Sequence, residues 1–323
     1  MAVMSVTGPI AAAELGATLV HEHIIVGMPG QELDPTQAPD RREIVAMAVD
    51  KLQELKAHGV STIVDPCPIE LGRDPELYAD VSERSGVNIV FATGFYYEGS
   101  GIPLYWRARD KEEIAELYLH ELENGVGNTG LRPGIIKAAT GLEVTPLERT
   151  VLAAAAMAQH AADCAIITHT ENSRHGDVQQ AIFAEHGADP HRILIGHQDE
   201  QSDWEAIRQL AEGNTFVGID RVGYDILAPD ERRADHVAAL IRSGYVRQVC
   251  LSQDCICTMA SPRLPFAMPP GYNMTPATFL AGNKPLSYVV TGFSDLLRER
   301  GVTDADLDII FRDNPRRLLA GIQ

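Results

Sequence analysis

The chain has 323 residues, 45% hydrophobic and 22% charged, a balance that excludes a disordered or fibrous protein and fits one large buried core. Asp and Glu number 45 against 27 Lys and Arg, and the net charge of −18 carries no basic run, which opposes nucleic acid and anionic membrane surfaces and favours a neutral or cationic small substrate. There is no secretory-type leader pattern and no run of the roughly 20 apolar residues a membrane span needs, and the five cysteines are scattered as free thiols are, so a cytoplasmic protein is expected.

Eight apolar runs read as strands, at 17–25, 61–66, 88–94, 132–138, 164–169, 192–197, 215–220 and 247–253. Helical periodicity lies between and after them, at 43–58, 110–124, 146–162, 179–186, 203–212, 230–243 and 285–300; the first carries Ile44, Val45, Ala48, Val49, Leu52 and Leu55 on one face and stops at Gly59. Strands alternating with helices imply parallel pairing through right-handed crossovers, and eight such units imply closure. The expected fold is therefore α/β, a single (β/α)8 TIM barrel over residues 1–323 with its active site at the C-terminal ends of the strands. An open doubly wound sheet would usually place a Gly-rich phosphate turn after its first strand, and the turn after Val20 offers two histidines instead. The stretch 255–283, rich in Pro, Gly and Met, follows the eighth strand and is expected to cover the barrel mouth as a specificity loop.

Chemistry-bearing side chains stand where the strands should stop. His21 and His23 are two residues apart, so on a strand they share a face, while Glu22 faces away. Lys137 ends the fourth strand, His169 the fifth, His197 the sixth and Asp254 the eighth. Four imidazoles and a carboxylate exceed what one tetrahedral ion needs, so two divalent ions about 3.5–4 Å apart are the economical reading. An ammonium beside two cations is repelled, so Lys137 must be neutral or converted to an anion. Asp65, ending the second strand, either orients a ligand or makes a structural hydrogen bond. Cys255 and Cys257 are too closely spaced for a zinc knuckle and read as packing residues. The remaining seven histidines fall on helices or loops as surface or capping residues.

In this order and spacing, the segments LVHEHI, TIVDP, ATGFYYEG, GIIKAAT, ITHTE, IGHQD, VGIDRVGYD and LSQDC, with Asn314-Pro315-Arg316-Arg317 near the end, make the chain resemble the phosphotriesterase-like lactonases of the amidohydrolase superfamily. The resemblance implies two divalent ions per chain, zinc by default, with cobalt, manganese or iron also compatible with mixed N/O ligands. It implies that His21, His23 and Asp254 hold a buried ion and His169 and His197 an exposed one, with Lys137 carboxylated to bridge them. It further implies a homodimer.

The reaction expected from the resemblance is lactone opening, on γ- or δ-lactones or acyl-homoserine lactones, by a metal-bridging hydroxide, with a promiscuous organophosphate triesterase activity. Asp254 would take the released proton. Tyr96 and Tyr97 would line the pocket, Tyr97 with a catalytic part, and Arg221 would position substrate or tie down the covering loop, unless it only pairs with Asp220 or Asp225. GFYYEG favours simple lactones, whereas Gln198 and the segment FLAGNKPLSY depart from the family pattern. The alternatives are a dedicated phosphotriesterase and a non-catalytic metal-binding barrel.

Overall fold

The structure, a computed structural model, describes residues 1–34, 40–260 and 284–322. The chain opens with an antiparallel hairpin, β1 (Ala2–Ser5) and β2 (Gly8–Ala11), which the apolar runs did not reveal because its strands are only four residues long. The Ser5 hydroxyl closes its turn by donating to the Gly8 carbonyl at 2.7 Å.

The strands that follow are β3 (Ala17–Leu19), β4 (His23–Val26), β5 (Val60–Asp65), β6 (Asn88–Gly94), β7 (Ile135–Thr140), β8 (Ala165–Thr170), β9 (Ile193–Ile195), β10 (Phe216–Ile219), β11 (Val249–Leu251) and β12 (Ile256–Met259). Eight of them, β3 and β5 through β11, form one parallel sheet in chain order. β4 and β12 continue the first and last of these beyond a break and pair in parallel, His23 opposite Ile256 and Val26 opposite Met259. The sheet is thus nearly closed into a barrel with helices around it, as the alternating pattern predicts.

The first crossover helix, Arg41–Ala57, starts where the Asp40 carboxylate accepts the Arg42 N–H. Lys111–Asn124 and Pro146–Ala162 each open on a capping box, Asp110 with Glu113 and Thr145 with Glu148. Helix Pro75–Ser85 was not anticipated, although its punctuation is ordinary: Asp74 as N-cap, Pro75 in the first turn and Gly86 left-handed at the end. The expected 285–300 helix is shorter, Gly292–Arg298, with a 3-10 turn at Tyr288–Val290 before it. Of the expected loop 255–283, the first residues form β12, and 261–283 lie outside the described residues. Among the described residues no helix is long and apolar enough to cross a membrane.

Alternation along the strands makes two apolar layers. Val64, Val90, Ala92, Ile135, Ala165, Ile167, Leu194, Phe216 and Cys250 fill one cluster with the N-terminal Val3 and the C-terminal Leu318 and Leu319. Their neighbours Ile63, Ile89, Phe91, Ile136, Ile166, Val217 and Leu251 pack with the helices. Because side chains repeat every two residues, Ile135 is followed on the same face by Lys137, Ile167 by His169, and Phe216 by Gly218 and Asp220. The apolar filling of the barrel is thereby replaced by ionisable groups at its carboxyl end.

Candidate metal centre

The six residues singled out at the strand ends come together there. Lys137 is 1% exposed, and its Nζ lies 3.3 Å from His21 Nε2. Asp254 Oδ1 lies 3.2 Å from His23 Nε2 and 3.7 Å from His21 Nε2, and its Oδ2 lies 3.8 Å from His197 Nε2. Ring centroids are 4.7 Å apart for His21 and His197 and 4.6 Å for His169 and His197. The first strand is not continuous, as the shared-face argument assumed. It breaks between β3 and β4 at Val20–Glu22, and the His21 and His23 rings meet edge-on at 5.4 Å.

Each imidazole has one nitrogen tied to a carboxylate; for His21, His23 and His197 the other faces the centre, whereas for His169 it meets a tyrosine hydroxyl. Asp220 bonds His21 Nδ1 at 2.9 Å and His197 Nδ1 at 2.8 Å. Asp65 bonds His23 Nδ1 at 3.1 Å and accepts the Ile24 N–H at 2.8 Å, so it fixes both the ring of His23 and the backbone beside it. Glu171 bonds His169 Nε2 at 2.9 Å, and His169 Nδ1 meets the Tyr96 hydroxyl at 2.9 Å. A carboxylate behind a histidine fixes tautomer and ring orientation and raises the basicity of the free nitrogen. His21, His23 and Asp254 bring ligand atoms within 4.8 Å of one another and could hold a metal ion. Two other such groups, around Asp220 and around Asp65 with Cys67, consist of these orienting contacts.

Two of the residues sit on left-handed backbone, His197 at φ 57° and Asp254 at φ 52°. That conformation costs a non-glycine residue about 1–3 kcal/mol and persists only where neighbours over-determine it. For His197 the Asp220 carboxylate also accepts the backbone N–H, at 2.7 Å. For Asp254 the N–H donates to the His21 carbonyl at 3.0 Å, and the Tyr224 hydroxyl donates to the Asp254 carbonyl at 3.0 Å. On the neighbouring strand Gly94 has φ 113°, and a β-carbon there would run into the Lys137 carbonyl, so glycine is required for β6 to approach β7 at the lysine.

Burial sets the charge states. It pulls the Lys137 amine down to about 8 against the pull of Asp254 and Asp220, and the His169 imidazole down to about 4. His21 and His197 are lowered by burial too. Burial opposes ionisation at His23, but hydrogen bonds to Asp254 and Asp65 outweigh it and raise this group. Burial also works against Asp254 as an anion, and the surrounding His21, His23, His197 and Arg221 hold it well below the usual carboxylate range. His21, His169 and His197 as neutral imidazoles and Asp254 as a carboxylate are in the forms that bind a cation, whereas His23 would release a proton on doing so.

The model of the phosphotriesterase family matches residues 1–319. The chain belongs to the phosphotriesterase family. It is 34% identical to a phosphotriesterase homology protein of Mycobacterium tuberculosis, over 96% of this chain and 95% of that protein. It is 30% identical to an aryldialkylphosphatase of Saccharolobus solfataricus, over 96% and 97%. Among solved structures, a mutant of a phosphotriesterase-like lactonase of Deinococcus radiodurans superposes with a TM-score of 0.89 at 35% identity, covering 98% of this chain and 99% of that one. Like these relatives, this member of the phosphotriesterase family is a hydrolase.

Tyr96, Tyr97 and Arg221 lie beside the strand-end cluster. The Tyr97 ring stacks on His169 at 5.6 Å, whereas it is the Tyr96 hydroxyl that reaches the His169 nitrogen. Arg221 donates from Nε to Asp254 Oδ2 at 3.0 Å and from Nη1 to Glu200 Oε1 at 3.1 Å, so it braces the centre; Asp225 pairs with Lys284 at 3.3 Å. Gln198 is buried and donates to the Thr170 hydroxyl and the Gly196 carbonyl, both at 3.0 Å. None of His58, His120, His160, His175, His186, His191 and His236 joins a metal-type cluster among the described residues. The sequence reading missed the carboxylates Asp220, Glu171 and Glu200. A signal existed for Asp220, which ends the seventh strand as the other centre residues end theirs.

Proposed function

We propose that the chain is a two-metal hydrolase that opens lactones, with phosphotriester hydrolysis as a lesser, promiscuous activity. The observation that carries this is the set of four imidazoles, each backed on one nitrogen by a carboxylate or, for one pair, by a shared carboxylate, around Asp254 and a buried lysine. The donor set fits a pair of divalent ions: His21, His23 and Asp254 for one, His169 and His197 for the other, with zinc the default and cobalt, manganese or iron compatible.

Lys137 fits the bridging position because burial favours its neutral amine. That amine would add to carbon dioxide, forming an N–C bond and releasing one proton to solvent, and the resulting N6-carboxylysine would supply an anionic carboxylate ligand where the amine alone could not. When bound, the ions lower the pKa of water toward neutrality and polarise the electrophile. Asp254 accepts the proton released as water adds to the lactone carbonyl and returns it to the leaving alkoxide oxygen. Arg221 keeps Asp254 ionised and aimed, its guanidinium 3.0 Å away. Tyr96 and Tyr97 form the wall over His169 against which the acyl part of the substrate lies.

The Saccharolobus relative supports phosphotriesters as the main substrate, and the Deinococcus relative and the GFYYEG segment support simple lactones. Hydrolysis by metal-reconstituted enzyme of γ-, δ- and acyl-homoserine lactones beside an aryl dialkyl phosphate decides between them. Faster turnover of the lactones is expected, and a preference for the phosphate would make the enzyme a dedicated phosphotriesterase. Five free, buried cysteines support a reducing, cytoplasmic compartment. A homodimer is expected in sedimentation.

A further inference from the structure

The first and last barrel strands both break at the level of the metal centre, and the two breaks face each other across the seam. On one side is His21-Glu22-His23, on the other Gln253-Asp254-Cys255. Backbone bonds join their edges: the Asp254 N–H donates to the His21 carbonyl at 3.0 Å, and the His23 N–H to the Cys255 carbonyl at 2.8 Å. Between those two bonds the left-handed turn at Asp254 interrupts the parallel ladder, and the N–H groups on either side of it go to a side chain instead. Glu22 accepts the Gln253 N–H through Oε1 at 2.8 Å and the Cys255 N–H through Oε2 at 2.8 Å. Its own backbone is fixed from the opposite flank, the Glu22 N–H donating to the Val64 carbonyl at 2.9 Å, and the residue is 1% exposed.

A carboxylate is well suited to this place. Two buried N–H groups need two acceptors, and each carboxylate oxygen supplies one. Glutamine would offer one oxygen and set its NH2 against the other peptide N–H. Alanine would leave both N–H groups buried without partners. Aspartate would fall one methylene short. The bonds made by Glu22 fall on the residues just before and just after Asp254, so they act on the backbone angles that aim the Asp254 carboxylate at His21, His23 and His197.

We propose that Glu22 is a positioning residue that holds Asp254 in its ligating conformation, so that one tripeptide supplies two imidazoles and also sets the carboxylate that joins them. This rests on the reading of Asp254 as a metal ligand.

The test uses metal-free full-length protein and its Glu22→Gln variant, with cobalt(II) as the probe. Cobalt affinity is followed by the absorption of the bound ion, and hydrogen exchange at the Gln253 and Cys255 amides is followed without metal. The expected result is a variant with native far-UV circular dichroism, at least tenfold weaker cobalt binding, and at least tenfold faster exchange at one of the two amides. Wild-type cobalt affinity with an unaltered absorption envelope, even at a lowered melting temperature, would reduce Glu22 to a structural tie and overturn the proposal. So would unchanged exchange at both amides. If Glu22→Gln does not fold, Glu22→Asp carries the same expectations. Wild-type protein that takes up no cobalt would instead overturn the two-metal reading, and with it Asp254 as a ligand, while the exchange data would show separately whether Glu22 fixes the turn.

Discussion

Asp220 holds two of the four imidazoles, with one oxygen on His21 and the other on His197. Loss of a carboxylate behind a metal histidine typically weakens metal binding by about 10–100-fold. Asp220→Asn should lose more than Asp65→Asn, which releases one ring, and competition with a chromogenic chelator measures both; equal losses would mean that only one Asp220 contact matters. Asp254 has a different part. If it moves the proton of the reaction, Asp254→Asn should lower kcat by roughly 10²–10⁴-fold with the fold intact by circular dichroism, and full turnover would remove it from that role. Lys137, His169, His197 and Asp254 were legible in the sequence because each interrupts an apolar run where a strand ends. Which carboxylate supports which imidazole was not legible, because His21 and Asp220 are 199 residues apart and carboxylates are common in a chain with 45 of them. Arg221 and Asp254 were each visible as candidates, but their pairing, and the part of Glu200 in it, were hidden for the same reason.

At the scale of elements, the strands carry the site because inward and outward residues alternate, and the helices only need to cover the outer layer. The approach of β6 to β7 is a close one, since it leaves no room for a β-carbon at Gly94 beside Lys137. Gly94→Ala should therefore destabilise the protein by about 1–3 kcal/mol in urea unfolding and reduce its metal content, because the strand carrying Lys137 must shift; a variant as stable and as metal-rich as the wild type would show that the strands have slack there. Long apolar runs made the parallel strands and the capped helices readable. The breaks between β3 and β4 and between β11 and β12 were not readable, since they come from hydrogen bonds across the seam between residues more than 230 apart in sequence. The helix at Pro75–Ser85 was missed despite clear caps.

For the molecule as a whole, burying ionisable groups near the barrel mouth lowers stability in a pH-dependent way. Glu70 follows β5, accepts the Tyr96 N–H at 2.8 Å and leaves its other oxygen buried without a partner; burial raises its carboxyl to about 7 from an ordinary 4.5. The folded state therefore binds this proton more tightly than the unfolded chain. Its contribution is complete below about pH 4.5 and is lost as pH rises through about 7, on the order of 3 kcal/mol at most. Glu70→Gln should match the wild type in urea unfolding at pH 5 and exceed it at pH 8, and equal stability at both values would mean that water or an ion serves the buried oxygen. The most direct test of the two-metal centre is elemental analysis of purified wild type and Lys137→Ala, with lactone hydrolysis measured on the same samples. Two metals per chain with lactonase activity, and loss of both in the variant, is the predicted result; one metal or none in the wild type, or activity untouched by the substitution, would contradict a centre bridged by Lys137.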